Sequence, residues 1–350
     1  MIIAIANAIG RNGGIRTDKL VPVNTVAPVI SGTALVGNTL TSTTGTWTSD
    51  TGVIGYLYQW TCDGVNISGA TNSTYTLVSA DLNKSIICKV AATDTDGTSA
   101  YVNSNSLVVY DSDYKAVLDY ATTQGYTLPS VSQMLKQSVL LSSLKTAGVW
   151  SKLDTFANFA TDGSSNFALI DWKRLTQYTA VNSPTFTTNQ GFQGNGTSSY
   201  IDTNFNAVTQ GVNYVQNNAS RYLYLHTASG TGALDGKPVV SVNNTVRAST
   251  SNQRINQSTI PLVGGAFDFT ATQGMKSIHR TNSTNVELFN ATTQASRTAI
   301  SASMNNNNQF VLRSGASYGG HTISMYANGA SLVSENTAFV NAFNTYITSL

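Results

Sequence analysis

The stretch FQGNGTSSYIDT, residues 192–203, decides which fold the second half of the chain adopts. It places two glycines around an asparagine, then small polar residues, and then the alternating run Tyr200–Thr203. A phosphate-binding loop would need a lysine and a serine or threonine after its last glycine, with a helix behind them. Here Thr197 follows Gly196 directly and no lysine is near. We therefore predict a tight hairpin turn at Gly194 and Gly196 that leads into a β-strand.

The composition favours β-structure with a neutral polar surface. Only 10% of the 350 residues are charged, whereas about 25% is usual in soluble domains. The hydrophobic fraction of 41% is ordinary, so Ser, Thr, Asn and Gly must supply most of the polar surface. The net charge of +2 is spread along the chain without a basic cluster, which excludes an electrostatic nucleic-acid interface.

The sequence disfavours three further classes of protein: disulfide-rich or zinc-binding, membrane-spanning, and secreted through a signal peptide. The two cysteines, Cys62 and Cys88, are too few for a disulfide framework or a four-cysteine zinc site. No run approaches the roughly 20 apolar residues that span a bilayer, so we expect no membrane insertion. The first residues, MIIAIANAIGRNGG, carry their only arginine after the apolar run, which is the reverse of a secretion signal.

Residues 26–110 show the pattern of a small antiparallel sandwich. In GYLYQWTCDG (55–64) and SIICKVAATD (85–94), alternate residues share one face of each predicted strand. Trp60 and Cys88 fall on those faces, and an inward tryptophan followed by an inward cysteine on a later strand is the immunoglobulin-like pattern. Together with VGNTLT and the ISGATNSTYTL block, the module resembles bacterial and phage Ig-like surface domains.

The resemblance implies structural roles for three side chains of this module. Trp60 is predicted to fill the core of the sandwich, and Cys62 and Cys88 to face inward on neighbouring strands. Cys62 departs from the antibody pattern because it lies two residues after Trp60, and the second strand, TLTSTT, has no cysteine. We expect two buried free thiols, although a bond between them stays open if they are directly opposite in register.

Residues 111–160 are predicted to form a helical connector. In DSDYKAVLDYATTQG the apolar residues recur with helical spacing, and Gly125 can end that helix. A second helix is predicted over residues 130–148. The block SLKTAGVWSKLDTFANFATDG (143–163) resembles a module of phage structural proteins that leads into a concanavalin-like sandwich.

Residues 161–350 are predicted to form a second β-sandwich with a C-terminal helix. GFQGNGTSSYIDTNFN (191–206) and HTISMYANGASLVSEN (321–336) resemble early and closing blocks of laminin-G-like, concanavalin-type domains. The last residues, SENTAFVNAFNTYITSL, carry one apolar stripe with helical period that should dock on the sandwich. The predicted fold is therefore mainly β: an Ig-like sandwich and a concanavalin/laminin-G-like jelly roll, with a short helical connector and a C-terminal helix.

The sequence offers little catalytic chemistry. Glycoside hydrolysis usually needs two facing carboxylates, but the only glutamates, Glu287 and Glu335, lie in unrelated contexts. The three histidines are far apart, and no nucleophile elbow of the GxSxG type occurs. We expect neither an enzyme nor a cofactor. Laminin-G-like domains sometimes bind calcium; Asp162, Asp171 and Asp202 are candidates by position, but no dense calcium-loop spacing supports them.

Two places suit a saccharide-binding surface, which needs an exposed aromatic ring beside hydrogen-bonding groups. The loop RSGASYGGH (313–321) combines Arg313, Tyr318 and His321 with three glycines, and Trp172 lies in ALIDWKRL. Loops at a sandwich edge commonly carry binding residues. The alternative interpretation of both places is an ordinary half-buried aromatic residue near a turn.

The resemblances imply a non-enzymatic virion protein: a fibre, spike or decoration component on the exterior of a phage particle that contacts the host surface or glycans. The apolar segment 1–25 is the predicted attachment to other virion proteins, and we expect a homo-oligomer. The first alternative is a bacterial cell-surface carbohydrate-binding protein, which the missing export signal disfavours. A polysaccharide depolymerase is the second.

Overall fold

The computed structural model describes residues 20–229, 232–237, 244–247, 253–257, 269 and 272–350. The chain divides into two compact units, an N-terminal unit (Met1–Tyr110) and a C-terminal unit (Asp111–Leu350). Each unit is built from antiparallel sheets, so the predicted mainly β class is confirmed. Most of the predicted attachment segment, residues 1–19, lies outside the described residues. Its last part, however, belongs to the N-terminal unit, because the strand that begins at Val23 pairs with Thr46–Thr48.

The described part of the N-terminal unit contains ten strands and one 3-10 turn, Ser79–Asp81. In chain order the strands are β1 Val23–Val26, β2 Ile30–Ser31, β3 Thr39–Ser42, β4 Thr46–Thr48, β5 Gly55–Cys62, β6 Val65–Asn66, β7 Thr74–Thr76, β8 Ser85–Thr93, β9 Val102–Asn103 and β10 Leu107–Val108. One sheet has the order β10-β8-β5-β6 with β9 also on β8, a second has β2-β3-β7, and β1 pairs β4.

The core of the N-terminal unit lies between its two larger sheets. Trp60 on β5 and Cys88 on β8 are directly opposite in register and fully buried. Leu40 on β3 joins the same cluster from the other sheet. The indole N–H of Trp60 donates to the carbonyl oxygen of Asn72 at 2.8 Å, which satisfies the ring's one polar group in the core. Both cysteines are free thiols, and Cys62 is opposite Ile86 rather than Cys88. Cys88 is buried as expected, but Cys62 is only partly buried at the edge of the core, so the prediction of two buried thiols is wrong for Cys62.

The described part of the C-terminal unit contains eighteen strands and five helices. The helices are α1 Ser112–Thr123, α2 Val131–Thr146, α3 Ser165–Ala168, α4 Ala207–Gln210 and α5 Asn336–Thr348, with a 3-10 turn at Trp150–Lys152. The strands are β11 Leu153–Asn158, β12 Ile170–Asp171, β13 Thr176–Gln177, β14 Thr179–Val181, β15 Thr185–Thr187, β16 Gly191–Gln193, β17 Tyr200–Asp202, β18 Ala219–Thr227, β19 Ala233–Gly236, β20 Asn244–Arg247, β21 Arg254–Ile255, β22 Gly274–Arg280, β23 Asn285–Asn290, β24 Thr293–Thr298, β25 Phe310–Val311, β26 Arg313–Ser314, β27 Ser317–Tyr318 and β28 Thr322–Gly329.

Two large sheets enclose the main core of this unit. The eight-stranded sheet has the order β15-β16-β28-β18-β22-β23-β24, with β11 also on β28, and the six-stranded sheet has β14-β17-β25-β19-β20-β21. Leu223 and Ile323 from the first sheet and Ile201 and Val311 from the second belong to one buried cluster. The unit is therefore a two-sheet sandwich. The laminin-G-like assignment stays a prediction.

Helix α5 packs on the outer face of the eight-stranded sheet. The Phe339 ring of α5 lies 4.6 Å from that of Tyr222 on β18, and the Phe343 ring lies 5.1 Å from that of Tyr224. The predicted docking of a C-terminal helix is thus confirmed. On α1, the buried side chains are those of the predicted stripe: Tyr114, Val117, Leu118 and Ala121.

The segment 111–160 is part of this unit rather than a separate connector. Its last residues form β11, which pairs with β28 in the eight-stranded sheet. Helix α2 packs on α5, where the amide of Gln133 donates to the Tyr346 hydroxyl at 2.9 Å. The sequence pattern identified the helices, but it could not show that two elements far apart in the chain pair with this segment.

The stretch 192–203 is a crossing between the two sheets, not the hairpin that the glycines predict. Phe192 lies on β16 of the eight-stranded sheet, whereas Tyr200–Asp202 forms β17 of the six-stranded sheet. The intervening turn is held by the Asn195 side-chain oxygen, which accepts hydrogen bonds from three backbone N–H groups, those of Thr197, Ser198 and Ser199.

A buried ion pair joins the two sheets across the core. Arg221 on β18 donates from Nε to Oδ2 of Asp235 on β19 at 2.8 Å and from Nη2 to Oδ1, and both side chains are about 1% exposed. The carboxylate holds the pKa of Arg221 above its usual value against the opposing effect of burial. Nearby, the Tyr326 hydroxyl and the Asn328 amide both donate to the side-chain oxygen of Gln309.

We predict that Arg221→Met destabilises the C-terminal unit by about 3–5 kcal/mol, because it leaves Asp235 as an uncompensated buried charge. The double variant Arg221→Met/Asp235→Leu should recover most of that loss, since both charges are then removed together. Urea denaturation of the full chain measures both effects, with Lys115→Met on the exposed face of α1 as a control that changes little. A double variant no more stable than the single one contradicts the prediction.

Candidate surface-binding site

The hairpin formed by β26 and β27 presents two of the predicted binding residues. Arg313 is directly opposite Tyr318 in its register, and Ser314 is opposite Ser317. Gly315 makes the turn with a φ of 57°, in the left-handed region that glycine adopts without steric cost. Its N–H donates to the carbonyl oxygen of Lys237 at 2.7 Å, which ties the hairpin to the end of β19.

Arg313 lies among three aromatic rings. The central carbon of its guanidinium is 4.5 Å from the ring centre of Tyr200, 5.1 Å from that of Phe310 and 5.3 Å from that of Tyr318. The Tyr200 ring is itself 4.8 Å from Phe310 and 6.2 Å from Tyr318. We call these four residues the Arg313 cluster. Phe310 is its buried base, while the other three side chains are partly exposed.

The cation in this cluster is held by aromatic faces and one backbone carbonyl. The guanidinium Nε donates to the carbonyl oxygen of Gly315 at 3.0 Å. None of the ion pairs found within the described ranges includes Arg313. A guanidinium over aromatic faces is attracted by about 0.5–1 kcal/mol per partly exposed contact. These contacts orient the side chain without neutralising its charge.

Backbone strain lies immediately before the cluster. Leu312 has a φ of 67° although it is a bulky residue, and its side chain is fully buried in the core. Such a conformation costs on the order of 1–3 kcal/mol and persists only where surrounding contacts impose it. Here two backbone hydrogen bonds impose it: Leu312 donates to the Leu234 carbonyl, and its own carbonyl accepts from Gly319. The reversal of the chain at Leu312 lets Arg313 leave β25 for the hairpin.

Three glycines beside the hairpin, Gly194, Gly232 and Gly319, allow close packing of the backbone. A Cβ on Gly194 would lie 2.0 Å from the carbonyl oxygen of Gly319, and one on Gly319 would lie 2.1 Å from that of Ala233. A Cβ on Gly232 would meet the Tyr318 carbonyl at 2.5 Å. Three chain segments therefore touch beneath the hairpin.

His321 is not available to a ligand. Its side chain is fully buried, with Nδ1 accepting from the Ser229 N–H at 2.9 Å and Nε2 donating to the Gly232 carbonyl at 3.3 Å. Burial lowers the pKa of the imidazole, which keeps the ring neutral in this role. The prediction that His321 contributes to an exposed surface is wrong, because both ring nitrogens bind the protein's own backbone.

Trp172 is also a core residue. It is 2% exposed and its ring lies 5.2 Å from that of Tyr114 on α1 and 5.3 Å from that of Phe156 on β11. The prediction of a second exposed aromatic site is therefore wrong.

Two residues of the Arg313 cluster, Tyr200 and Phe310, were not predicted as site residues from the sequence. The alternating run Tyr200–Thr203 was visible in the sequence, but only the pairing of β17 with β25 brings Tyr200 to Arg313.

The three candidate calcium ligands each bind protein groups. Asp162 accepts from the Ser130 N–H, and Asp202 accepts from the Asn204 N–H and the Asn308 amide. Asp171 accepts from the N–H groups of Phe156 and Lys173. Within the described ranges, no three His, Cys, Asp or Glu side chains converge as metal ligands. In the same ranges, every helix is too short or too polar to span a bilayer.

The two glutamates lie in different parts of the C-terminal unit, and each binds other side chains of the protein. Glu287 on β23 accepts from the Gln294 amide at 3.0 Å and from the Ser296 hydroxyl at 2.7 Å. Glu335 pairs with Lys152 at 2.7 Å. Each carboxylate thus has a local structural partner.

Comparison with known proteins gives distant structural neighbours only. No protein-family model matches the chain, and no curated protein matches it. Among solved structures, a mutant Trypanosoma rangeli sialidase with trans-sialidase activity aligns at 12% identity and TM-score 0.39, over 75% of this chain and 43% of the sialidase. Domain 4 of an extracellular arabinanase from Geobacillus stearothermophilus, in complex with arabinotriose, aligns at 15% identity and TM-score 0.34, over 54% of this chain and 98% of that domain.

A third neighbour is the receptor-binding domain of botulinum neurotoxin C/D mosaic serotype. It aligns at 8% identity and TM-score 0.39, over 56% of this chain and 52% of that domain. This chain spans less than half the length of the sialidase that it matches. At these TM-scores the alignments do not establish a shared fold.

We predict a pH dependence of stability from Asp171. Burial raises the pKa of this carboxyl from 3.8 to about 7, despite the hydrogen bonds that it accepts from backbone N–H groups and despite Arg174 at 3.6 Å. The folded state therefore binds the proton more tightly than the unfolded chain, so the free energy of unfolding should fall as pH rises from about 4 to about 7, by up to about 1.4 kcal/mol per pH unit.

The variant Asp171→Asn should lack this contribution and become more stable than the wild type above pH 7. Denaturation curves between pH 4 and pH 8 measure the slope, with Asp119→Asn on the exposed side of α1 as the matched control. Identical slopes for Asp171→Asn and the wild type would contradict the assignment.

Proposed function

We propose that this chain is a non-catalytic structural and adhesive component of a bacteriophage particle, displayed on the particle's exterior as part of a fibre, spike or decoration. The resemblance of residues 26–110 to bacterial and phage Ig-like surface domains supports this role, as does that of residues 143–163 to phage structural proteins. In this proposal the apolar segment 1–25 attaches the chain to other virion proteins, and the particle carries several copies.

In this proposal the Arg313 cluster makes the contact with the host. The observation that supports this role is the set of partly exposed aromatic rings around the arginine. One face of a pyranose ring presents mainly C–H groups, which pack on an aromatic ring, while its hydroxyl groups need donors and acceptors at the ring's edge. Tyr318 supplies such a ring, and the Arg313 guanidinium beside it supplies donors. In the described part of the core, large aromatic side chains such as Trp60 and Trp172 are enclosed instead.

A non-catalytic role is supported by the surroundings of the cluster. The carboxylates on the neighbouring strands are Asp202, which accepts hydrogen bonds from Asn204 and Asn308, and Asp235, which is paired with Arg221 in the core. Glycoside hydrolysis usually requires a proton donor and a second carboxylate about 5–10 Å apart, flanking the sugar. In this proposal the cluster holds a glycan without cleaving it.

Immunogold labelling of purified particles tests the virion role. An antibody against this chain is expected to label the exterior of intact particles, with the same antibody blocked by the purified protein as control. Labelling confined to the envelope of the bacterium would instead favour the alternative, a bacterial cell-surface carbohydrate-binding protein.

We predict that Tyr318→Ala weakens binding of the fluorescently labelled full-length protein to host cells. Losing one aromatic stacking contact of about 0.5–1.5 kcal/mol corresponds to roughly a twofold to tenfold weaker affinity per site. Several copies on one particle would amplify the loss. Tyr101→Ala is the matched control, because Tyr101 is a 48% exposed tyrosine of the N-terminal unit. Equal losses in both variants, with thermal melting unchanged, would remove the cluster from the proposed function.

A further inference from the structure

The Arg313 cluster carries a charge that its described surroundings do not neutralise. No carboxylate in the described part of the chain forms an ion pair with Arg313. The two acidic residues on adjacent strands are committed elsewhere, Asp202 to Asn204 and Asn308 and Asp235 to Arg221. In a chain with only 10% charged residues, a cation held in this way points to an anionic ligand.

The geometry leaves one edge of the guanidinium for that ligand. Nε is used by the Gly315 carbonyl, and the faces of the group are next to the rings of Tyr200, Phe310 and Tyr318. The two terminal nitrogens have no hydrogen-bond partner among the described residues. One N–H group from each terminal nitrogen can donate to one oxygen of a carboxylate, which gives the paired, charge-assisted hydrogen bonds of a guanidinium with a carboxylate.

The cation is also fixed before a ligand arrives. Arg313 begins a two-residue strand paired with Tyr318, follows the constrained Leu312, and donates to Gly315 within its own turn. An arginine that is already oriented loses less side-chain freedom on binding than a solvated one. Tyr318, partly exposed beside it, is placed to hold the sugar ring that bears the charge.

We infer that the Arg313 cluster binds an acidic saccharide, with the carboxylate of a uronic acid or a similar carboxylated sugar on the guanidinium and the sugar ring on Tyr318. This inference rests on the proposed function, which assigns a glycan contact to the same cluster, and it adds the chemical class of the sugar. In this inference Arg313 gives the preference for an acidic sugar, whereas Tyr318 contributes a stacking contact that a neutral sugar would also make.

The test uses the full-length protein and surface polysaccharide purified from the host strain, before and after chemical reduction of its carboxyl groups to alcohols. Binding is measured by biolayer interferometry at low salt. Reduction is expected to weaken binding by about tenfold to a hundredfold, the range for losing hydrogen bonds to a charged group. Undiminished binding to the reduced polysaccharide overturns the inference, and so does a requirement for sulfate or phosphate groups instead.

Variants separate this inference from the proposed function. Arg313→Gln should lose the preference for the native over the reduced polysaccharide, and Arg313→Lys should retain part of it, because a lysine keeps the charge but not the paired N–H groups. Lys115→Gln, which removes the same charge from the exposed side of α1, is the control. Thermal melting verifies that each variant is folded.

The outcomes are distinguishable. If Tyr318→Ala weakens binding while Arg313→Gln and carboxyl reduction do not, the glycan contact stands and the acidic ligand is overturned. If neither variant nor the reduction changes binding, the cluster has no part in it and both proposals fail. If Arg313→Gln and carboxyl reduction cause equal losses that do not add, the two changes remove the same interaction, as the inference requires.

Discussion

Burial on both faces of the central strands of the eight-stranded sheet, β11, β18, β22 and β28, is the constraint on which the C-terminal unit depends. The inner face of these strands meets the six-stranded sheet and their outer face meets α5, so neither set of alternate side chains can rely on solvent. Polar groups on these strands must therefore find partners inside the protein. Arg221 finds Asp235 on the inner face, and His279 on the outer face accepts from the Leu332 N–H through Nδ1. Burial lowers the pKa of His279 to about 3, so its ring stays neutral.

The elements that depend on local pattern could be predicted from the sequence. The stripe on α1 and the apolar positions of α5 follow a helical period, and the alternation on β5 puts Trp60 in the core. The order of the strands in the sheets could not be predicted from local pattern. The glycines of residues 194–196 are compatible with a hairpin, but Asn195 holds a turn that passes between sheets instead. Only long-range pairing, here of β16 with β28 and of β17 with β25, distinguishes the two.

The candidate site was predictable in part, for a related reason. Arg313 and Tyr318 are five residues apart, so a short hairpin suffices to bring them together, and the structure has that hairpin. His321 follows three residues later with the same local polarity, yet it lies on the inner side of the loop, where Ser229 and Gly232 take both ring nitrogens. The charged residues Lys173 and Arg174 follow Trp172 and suggest a surface position. Instead, the indole of Trp172 is buried, while Lys173 donates to the carbonyl oxygen of Trp150 and Arg174 to that of Asn204. Whether each of these residues is exposed depends on the direction of its side chain relative to the core, which local sequence does not show.

The glycine contacts beneath the hairpin have a consequence for how this surface can diversify. Positions 194, 232 and 319 touch neighbouring backbone so closely that any side chain there would force the segments apart. The side chains of Arg313 and Tyr318 are partly exposed, and the close contacts of the three glycines are with backbone carbonyl oxygens rather than with these side chains. Selection can therefore exchange the residues on top while the glycines beneath them stay fixed. A lineage that alters its target would be expected to vary at positions 313 and 318 first and to keep the three glycines unchanged.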